Sequence, residues 1–162
     1  MAQLYKMGKR MSIDIHKYDT NEDKLLEIKN KIEIFNTLTD DELLGIVYDI
    51  EFKKYNKGMV VIEKDEISDD IYFILSGECI IHQGNTSFIL EAGSVVGEIA
   101  SMFDLPRKHT VLIHADNTAL LKFKIDKKDS KKHSYAFSKL FYELSKQLNE
   151  KLNVTMERLN EL

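Results

Sequence analysis

A run of residues between 93 and 115 places a turn, a carboxylate and an arginine at a spacing that suits an anionic ligand. Gly97 and Glu98 begin a segment that can form one or two helical turns, where unpaired backbone N–H groups point toward an incoming anion. Arg107 follows nine residues after Glu98, and its guanidinium can hold a phosphate through paired charged hydrogen bonds. The Glu98 carboxylate can accept from a sugar hydroxyl. The pattern therefore indicates a site for a ribose joined to a phosphate.

The same run resembles the phosphate-binding cassette of cyclic-nucleotide-binding domains. It reads Gly-Glu-Ile-Ala at residues 97–100, then six residues, Arg107, two residues and Thr-Val. Pro106, directly before Arg107, adds to the match. Upstream, residues 71–78 and 90–97 resemble the strand, turn and glycine signatures that precede the cassette in that family. Three ordered motifs with family-like spacing therefore indicate a relative of the catabolite activator superfamily.

The resemblance covers residues 35–125 and implies an α+β fold that is mainly β. Its core would be an eight-stranded double-stranded β-helix, or jelly roll, with N-terminal helices, a long C-terminal helix, and the cassette between the sixth and seventh strands. The residues alone favour a sandwich or jelly roll, because short β-rich runs alternate with turn residues between 51 and 125. The predicted strands are 52–55, 59–63, 71–75, 78–82, 87–90, 110–114 and 119–125.

Helical patterns flank this β-rich region on both sides. Apolar residues recur at helical spacing from 21 to 35, and Thr39 with Glu42 forms a predicted capping box before a second short helix. A final helix is predicted from about Ser134 to Leu162. We therefore expect an N-terminal arm at 1–20 that is loose or borrowed by a neighbour, a β-roll with N-terminal helices at 21–126, and a dimerisation and signalling helix at 127–162.

The apolar stripe of the C-terminal helix predicts a homodimer. The helix would be roughly 40 Å long, more than a small β-roll can cover, so a second copy should cover the remainder. Residues 144–162 also resemble the dimerisation helix of the superfamily, and Thr155 matches a threonine that reaches the amino group of adenine there. The stripe consists of Phe137, Leu140, Phe141, Leu144, Leu148, Leu152, Met156 and Leu159.

The resemblance implies a cyclic-nucleotide ligand, cAMP first and cGMP as the alternative. Such a protein is a sensor and not an enzyme: it binds its ligand, moves its C-terminal helix and acts on a downstream protein partner that the sequence does not identify. No cofactor is implied. The sequence ends without the helix-turn-helix of the superfamily, so we expect no direct nucleic-acid binding. The predicted ligand contacts are Gly97, Glu98, Ile99, Ala100, Arg107, Lys108, His109 and Thr155.

Three residues depart from the family pattern. Lys108 stands where most relatives have a small residue, and His109 stands where alanine is usual. Lys108 would add a second charge to the phosphate or fill space that the nucleotide needs. Met156 replaces a serine that contacts the base from the partner subunit. These departures leave open a ligand-orphan interaction module that keeps the fold, or a sensor of another anionic ligand.

Each candidate residue also has a reading without a ligand. Glu98 could only cap the short helix. Arg107 could pair with Glu98 or Asp104 on the surface, although an exposed pair contributes little stability. Thr155 could be an ordinary solvent-facing helix residue. The lysine-rich run at 127–132 is typical of a solvated turn.

Composition narrows the class of protein. The chain has 162 residues with 43% hydrophobic and 31% charged, which suits one compact domain and one added element. A net charge of −4 gives no electrostatic reason to expect DNA binding. No apolar run is long enough to span a membrane, and the N-terminus lacks a secretory signal, so the expected compartment is the cytoplasm. Five scattered histidines and the single Cys79 form no metal-ligand spacing.

Overall fold

The computed structural model of the protein describes residues 4–7, 19–129 and 131–160. The chain divides into two compact units, Met1–Leu25 with Val47–Ile125 and Leu26–Ile46 with Asp126–Leu162. The helices within the described residues are α1 (Asn21–Ile28), α2 (Asp40–Ile46), α3 (Glu98–Phe103) and α4 (Ser134–Asn160). The strands are β1 (Leu4–Met7), β2 (Val47–Tyr55), β3 (Val60–Ile62), β4 (Ile71–Ser76), β5 (Glu78–Gln83), β6 (Thr86–Glu91), β7 (Val95–Val96), β8 (Val111–Ile113) and β9 (Thr118–Ile125).

The first unit is built from two sheets. One has the strand order β1-β6-β5-β8-β3, and the other has the order β2-β9-β4-β7. Strands β2 to β9 pair with one another in the antiparallel sense and form the eight strands of the predicted jelly roll. Helix α3 lies between β7 and β8, which are the sixth and seventh of those eight strands. The predicted fold class and the predicted position of the cassette are therefore confirmed.

Both sheets contribute side chains to the core of the roll. β-branched and aromatic residues suit such a pleated, buried surface, where packing rather than backbone preference decides. Cys79 is fully buried in β5, and burial raises the pKa of its thiol to about 12, as expected of a small core residue. One cluster of buried core residues consists of Ile62, Tyr72, Ile74, Cys79, Leu90, Ala92, Val96, Val111, Ile113 and Leu120.

Strand β1 is a correction to the expectation of a loose or borrowed arm. Residues 4–7 pair in parallel with β6, from Leu4 opposite Ser87 to Met7 opposite Leu90. The edge of β6 offers unpaired backbone groups, and these can bind a short strand that has no hydrophobic period of its own. Residues 1–3 and 8–18 of the predicted arm lie outside the described residues.

The second unit is helical. The capping box is confirmed: Thr39 N–H donates to Glu42 Oε2 over 2.9 Å, and Glu42 N–H donates to Thr39 Oγ1 over 3.2 Å. Lys139 Nζ lies 2.8 Å from Glu42 Oε2, and this hydrogen bond lowers the pKa of the Glu42 carboxyl. The box therefore fixes the start of α2 and also binds α4.

The first predicted helix is wrong in its second half. Helix α1 ends at Ile28, and two 3-10 turns, Lys29–Lys31 and Glu33–Phe35, follow it. Ile32 between them is extended, with φ −98° and ψ 107°, which interrupts the helical path. Its neighbours Ile34 and Phe35 are fully buried. The apolar spacing there serves packing in a tighter turn, and a period of three to four residues does not distinguish the two.

Helix α4 begins at Ser134 as predicted, and residues 161–162 lie outside the described residues. Its first half is packed, since Phe137, Leu140 and Leu144 are buried. Its second half is not: Leu152, Met156 and Leu159 are 51–60% exposed. The predicted stripe is thus buried at one end and open at the other.

None of the described helices is both long and apolar enough to cross a membrane.

The two compact units differ from the predicted division of the chain. The helical segments before the roll cluster with α4, whereas the prediction joined them to the roll. Helix α1 contributes residues to both units, because the boundary falls between Leu25 and Leu26. As a division of function, the boundary at residue 126 stays a prediction.

Candidate ligand-binding site

The cassette, residues 97–110, begins with a backbone turn that only glycine adopts easily. Gly97 follows β7 with φ +86° and starts α3. Asp104 ends α3 in the left-handed conformation with φ +51°, and its N–H donates to the carbonyl of Ala100. Leu105 N–H donates to the same carbonyl over 2.9 Å. These two ends confine α3 to six residues and return the chain toward Arg107.

Arg107 is buried and held by backbone carbonyls. Its side chain is only 2% exposed. Nη1 donates to the carbonyl of Gly97 over 2.7 Å, and Nη2 donates to the carbonyl of Asp70 over 2.6 Å. The guanidinium therefore connects the start of the cassette with the residue that precedes β4. Surface pairing of Arg107 with Glu98 or Asp104 does not fit this burial.

A second segment runs beside the cassette and fixes the backbone of Arg107. Arg107 N–H donates to the carbonyl of Glu66 over 2.9 Å, and Asp65 N–H donates to the carbonyl of Arg107 over 2.8 Å. Lys64 N–H donates to Thr110 Oγ1 over 3.1 Å. The backbone N–H and the backbone carbonyl of Arg107 are thereby both hydrogen-bonded, which fixes the position from which its side chain extends.

One atom of the guanidinium lacks a hydrogen bond. Arg107 Nε is buried and has no hydrogen-bond partner among the described residues. The carboxylate of Glu66 lies 3.7 Å from it, close enough for an ion pair but too far for a hydrogen bond. Leaving a buried charged donor without an acceptor costs free energy, and native proteins rarely do so. Nε of Arg107 is therefore a buried donor that can bind an oxyanion.

Asp70 ties this part of the cassette to the four-stranded sheet. Its carbonyl accepts from Arg107, while its carboxylate lies 3.7 Å from Nζ of Lys124 in β9. Lys124 also lies 2.8 Å from the carboxylate of Asp49, and this hydrogen bond raises the pKa of the lysine. The carbonyl that holds Nη2 thus belongs to a residue with its own charged partner.

Gly97 fits closely against the arginine. A Cβ atom at this position would lie 2.7 Å from Arg107 Nη1, 2.9 Å from the carbonyl oxygen of Asp70 and 3.3 Å from Cδ1 of Ile62. The first two distances are shorter than real Cβ contacts. The glycine is therefore required twice, for its positive φ and for the space that the guanidinium occupies.

The remaining cassette residues differ in exposure. Glu98 is only 5% exposed, so its carboxylate is not a solvent-facing cap. Ala100 and His109 are half-buried, whereas Ile99 and Lys108 are exposed. The structure thus brings Arg107 directly against Gly97. It places Glu98, Ile99 and Ala100 in α3, and Lys108 and His109 in the bend that follows Arg107.

Thr155 lies in the other compact unit, on α4. It is exposed, and its hydroxyl donates to the carbonyl of Lys151 within the same helix over 2.8 Å. Its predicted contact with the base stays a prediction.

No group of three or more His, Cys, Asp or Glu residues within the described part of the chain could hold a metal ion.

Two features of the site were missed from the sequence. The carbonyl of Asp70 has no sequence signal, because any residue can supply a backbone acceptor. Glu66 stands in the run Glu-Lys-Asp-Glu at 63–66, which has the composition of a solvated turn. The second glutamate of this run faces Arg107 only because the backbone of Arg107 pairs with that of Glu66.

Known proteins resemble the chain in this region. Residues 52–128 match a family model described as cyclic nucleotide-binding domain. A cAMP-dependent protein kinase regulatory subunit from Mucor circinelloides f. lusitanicus is 32% identical over 100 residues, which cover 60% of this chain and 23% of the relative. The chain matches less than a quarter of the length of the first curated relatives.

Solved structures share the fold at low identity. A cyclic nucleotide-binding domain from Methylobacillus flagellatus KT superposes with a TM-score of 0.67 at 17% identity, over 87% of this chain and 84% of that one. The Thermus thermophilus Catabolite Activator Protein superposes with a TM-score of 0.57 at 18% identity, over 79% of this chain and 62% of that one. The match of residues 52–128 with the cyclic nucleotide-binding domain model confirms the resemblance noted in the cassette.

Proposed function

We propose that the protein is a cyclic-nucleotide-binding regulatory protein with cAMP as its ligand, and that it senses the ligand without making or breaking covalent bonds. The observation that carries the proposal is the buried Arg107 guanidinium, whose Nε has no hydrogen-bond partner among the described residues. A cyclic phosphodiester bears one negative charge and offers the oxygen acceptors that this atom lacks.

The energetics favour a buried phosphate at this place. Moving an anion out of water is costly unless a cation and several donors meet it. Arg107 supplies the cation, and its two carbonyl contacts hold it in place before the ligand arrives. The first N–H groups of a helix have no intrahelical partner and can donate to an anion. In α3 the first N–H that donates to the carbonyl of Gly97 is that of Ser101, so the N–H groups of Ile99 and Ala100 lie before the intrahelical hydrogen bonds begin.

A ribose hydroxyl can donate a hydrogen bond to the neighbouring carboxylate of Glu98. Glu98 directly follows Gly97 and is buried, so an acceptor stands beside the proposed phosphate position. Lys108 is exposed, which supports a place at the rim of the site rather than in the buried space around the guanidinium. We assign Lys108 and His109 to the ligand boundary. If titration with cyclic nucleotides shows no binding, the protein is instead a ligand-orphan module that keeps the fold.

The choice of cAMP over cGMP rests on two points. Lys108 stands at a position where a threonine favours guanine in relatives, so that source of cGMP selectivity is absent. Thr155 offers a hydroxyl to the adenine amino group. The similar fungal protein is named a cAMP-dependent kinase regulatory subunit, which supports both this ligand and an output carried by a separate protein. We place the protein in the cytoplasm, with α4 as the element that moves when the ligand binds.

The first prediction tests the proposed phosphate contact. Removing one partner of a buried charged contact costs about 2–5 kcal/mol, so Arg107→Ala should weaken cAMP binding by roughly 30-fold to several thousand-fold. Calorimetry measures the affinity, and circular dichroism checks the fold. Glu98→Gln should lose less, because its amide oxygen still accepts from a ribose hydroxyl. Equal cAMP affinity of Arg107→Ala and wild type would show that the ligand does not bind at Arg107.

The close packing of Gly97 gives a second prediction with a matched control. Gly58 has the same φ of +86° and nothing within 4 Å of an added Cβ. Gly97→Ala and Gly58→Ala should each lose about 1–2 kcal/mol from backbone strain in urea unfolding, and Gly97→Ala should lose more, because its Cβ would also collide with the Asp70 carbonyl and the guanidinium. Only Gly97→Ala should also weaken cAMP binding, by about tenfold or more, because it displaces the guanidinium. Similar affinities in both variants would contradict the packing argument.

The third prediction concerns recognition of the base. If Thr155 accepts a hydrogen bond from adenine, Thr155→Ala should weaken cAMP by about 1 kcal/mol, roughly fivefold, and leave cGMP nearly unchanged. Thr155→Ser keeps the hydroxyl and should restore cAMP affinity. The two nucleotides are titrated side by side. Equal losses for cAMP and cGMP would show that Thr155 does not read the base.

The fourth prediction is a homodimer formed along α4. Its exposed apolar residues would leave a patch that soluble monomers usually avoid, and Leu152 and Met156 lie near its centre. Light scattering at micromolar concentration should give twice the chain mass of 18.8 kDa. Leu152→Glu combined with Met156→Glu should give a folded monomer. A monomeric mass for the wild type would reject the dimer.

A further inference from the structure

We propose that Glu66 sets the ligand affinity of the cassette, because its carboxylate is a resident counter-ion of Arg107 that competes with the ligand phosphate. This inference rests on the proposed function for the identity of the competing anion. It assigns to Glu66 a role opposite to that of a ligand contact: the residue weakens binding and stabilises the unliganded site.

The geometry places the carboxylate at the unfilled edge of the guanidinium. Nη1 and Nη2 each donate to a backbone carbonyl, whereas Nε has no hydrogen bond among the described residues. Glu66 Oε1 lies 3.7 Å from that same Nε. An incoming oxyanion that uses Nε must therefore approach the atom that the carboxylate already faces.

The two partners of the ion pair differ in solvent exposure. The Arg107 side chain is 2% exposed, and the Glu66 side chain is 40% exposed. The carboxylate is thus partly exposed to solvent, whereas the cation is not. A buried cation needs a compensating charge, and Glu66 supplies it while the ligand is absent. Once a phosphodiester is bound, the same carboxylate is a second anion beside it, and like charges at this range repel.

The backbone keeps Glu66 in this position. Its carbonyl accepts from Arg107 N–H over 2.9 Å, so the main chain of Glu66 stays beside the arginine whether or not the carboxylate moves. The ion pair has no hydrogen bond to break, because 3.7 Å exceeds hydrogen-bond length. The carboxylate can therefore yield at small cost to an oxyanion that reaches hydrogen-bond distance of Nε, and it lowers affinity without closing the site.

The test compares two variants that remove the same charge. Glu66→Gln removes the counter-ion, and Glu63→Gln removes an exposed carboxylate of the same run for which no contact with Arg107 is found. Calorimetry with cAMP should show about three- to fivefold tighter binding for Glu66→Gln, the upper range of a partly exposed charge pair, and less than about twofold change for Glu63→Gln. The gain should shrink at high salt. Unchanged or weaker binding by Glu66→Gln would overturn the proposal.

A second readout separates this proposal from the proposed function. In ligand-free protein, the ¹⁵N–¹H signal of Arg107 Nε, assigned by its loss in Arg107→Lys, is titrated with inorganic phosphate. Half-saturation at a lower phosphate concentration in Glu66→Gln than in wild type supports the competition. Identical titrations overturn it. If neither protein binds a cyclic nucleotide, the proposed function fails, and the phosphate titration alone decides the role of Glu66.

Discussion

A guanidinium removed from water is the constraint on which the cassette depends. A buried cation is tolerated only where acceptors and a counter-charge surround it, and each neighbour of Arg107 meets part of that requirement. The carbonyls of Gly97 and Asp70 fix Nη1 and Nη2, and Glu66 supplies a nearby negative charge. The missing side chain at Gly97 leaves the space that the cation fills. Glycine at position 97 therefore serves the burial of Arg107.

Much of this arrangement could be predicted from the sequence. The spacing from Gly97 to Arg107 indicated the cassette, and the alternation of β-rich runs with turns indicated the roll, since both signals depend on residue types. The partners at Asp70 and Glu66 could not be predicted in the same way. A carbonyl carries no residue signature, and an acidic turn has the same composition whether it faces solvent or a cation. Glu66 faces Arg107 because two distant backbone segments pair.

The two failures of the helix and arm predictions have a related cause. Apolar spacing identified Leu25 and Ile28 as buried but could not distinguish an α-helix from the 3-10 turns that follow. Residues 4–7 lacked any period, and yet they pair with β6, because an open strand edge accepts a backbone rather than a side-chain pattern. Pattern methods report side chains, and both errors concern bonds made by the main chain.

The burial of Cys79 makes the protein suited to selective chemical labelling. It is the single cysteine of the chain, and the thiolate, which is the form that attacks thiol reagents, is scarce at neutral pH when the pKa is about 12. A cysteine introduced at an exposed position such as Ser145 on α4 would then carry a fluorophore or spin label alone. The native thiol needs no replacement, so the core of the roll stays intact while a probe follows the helix.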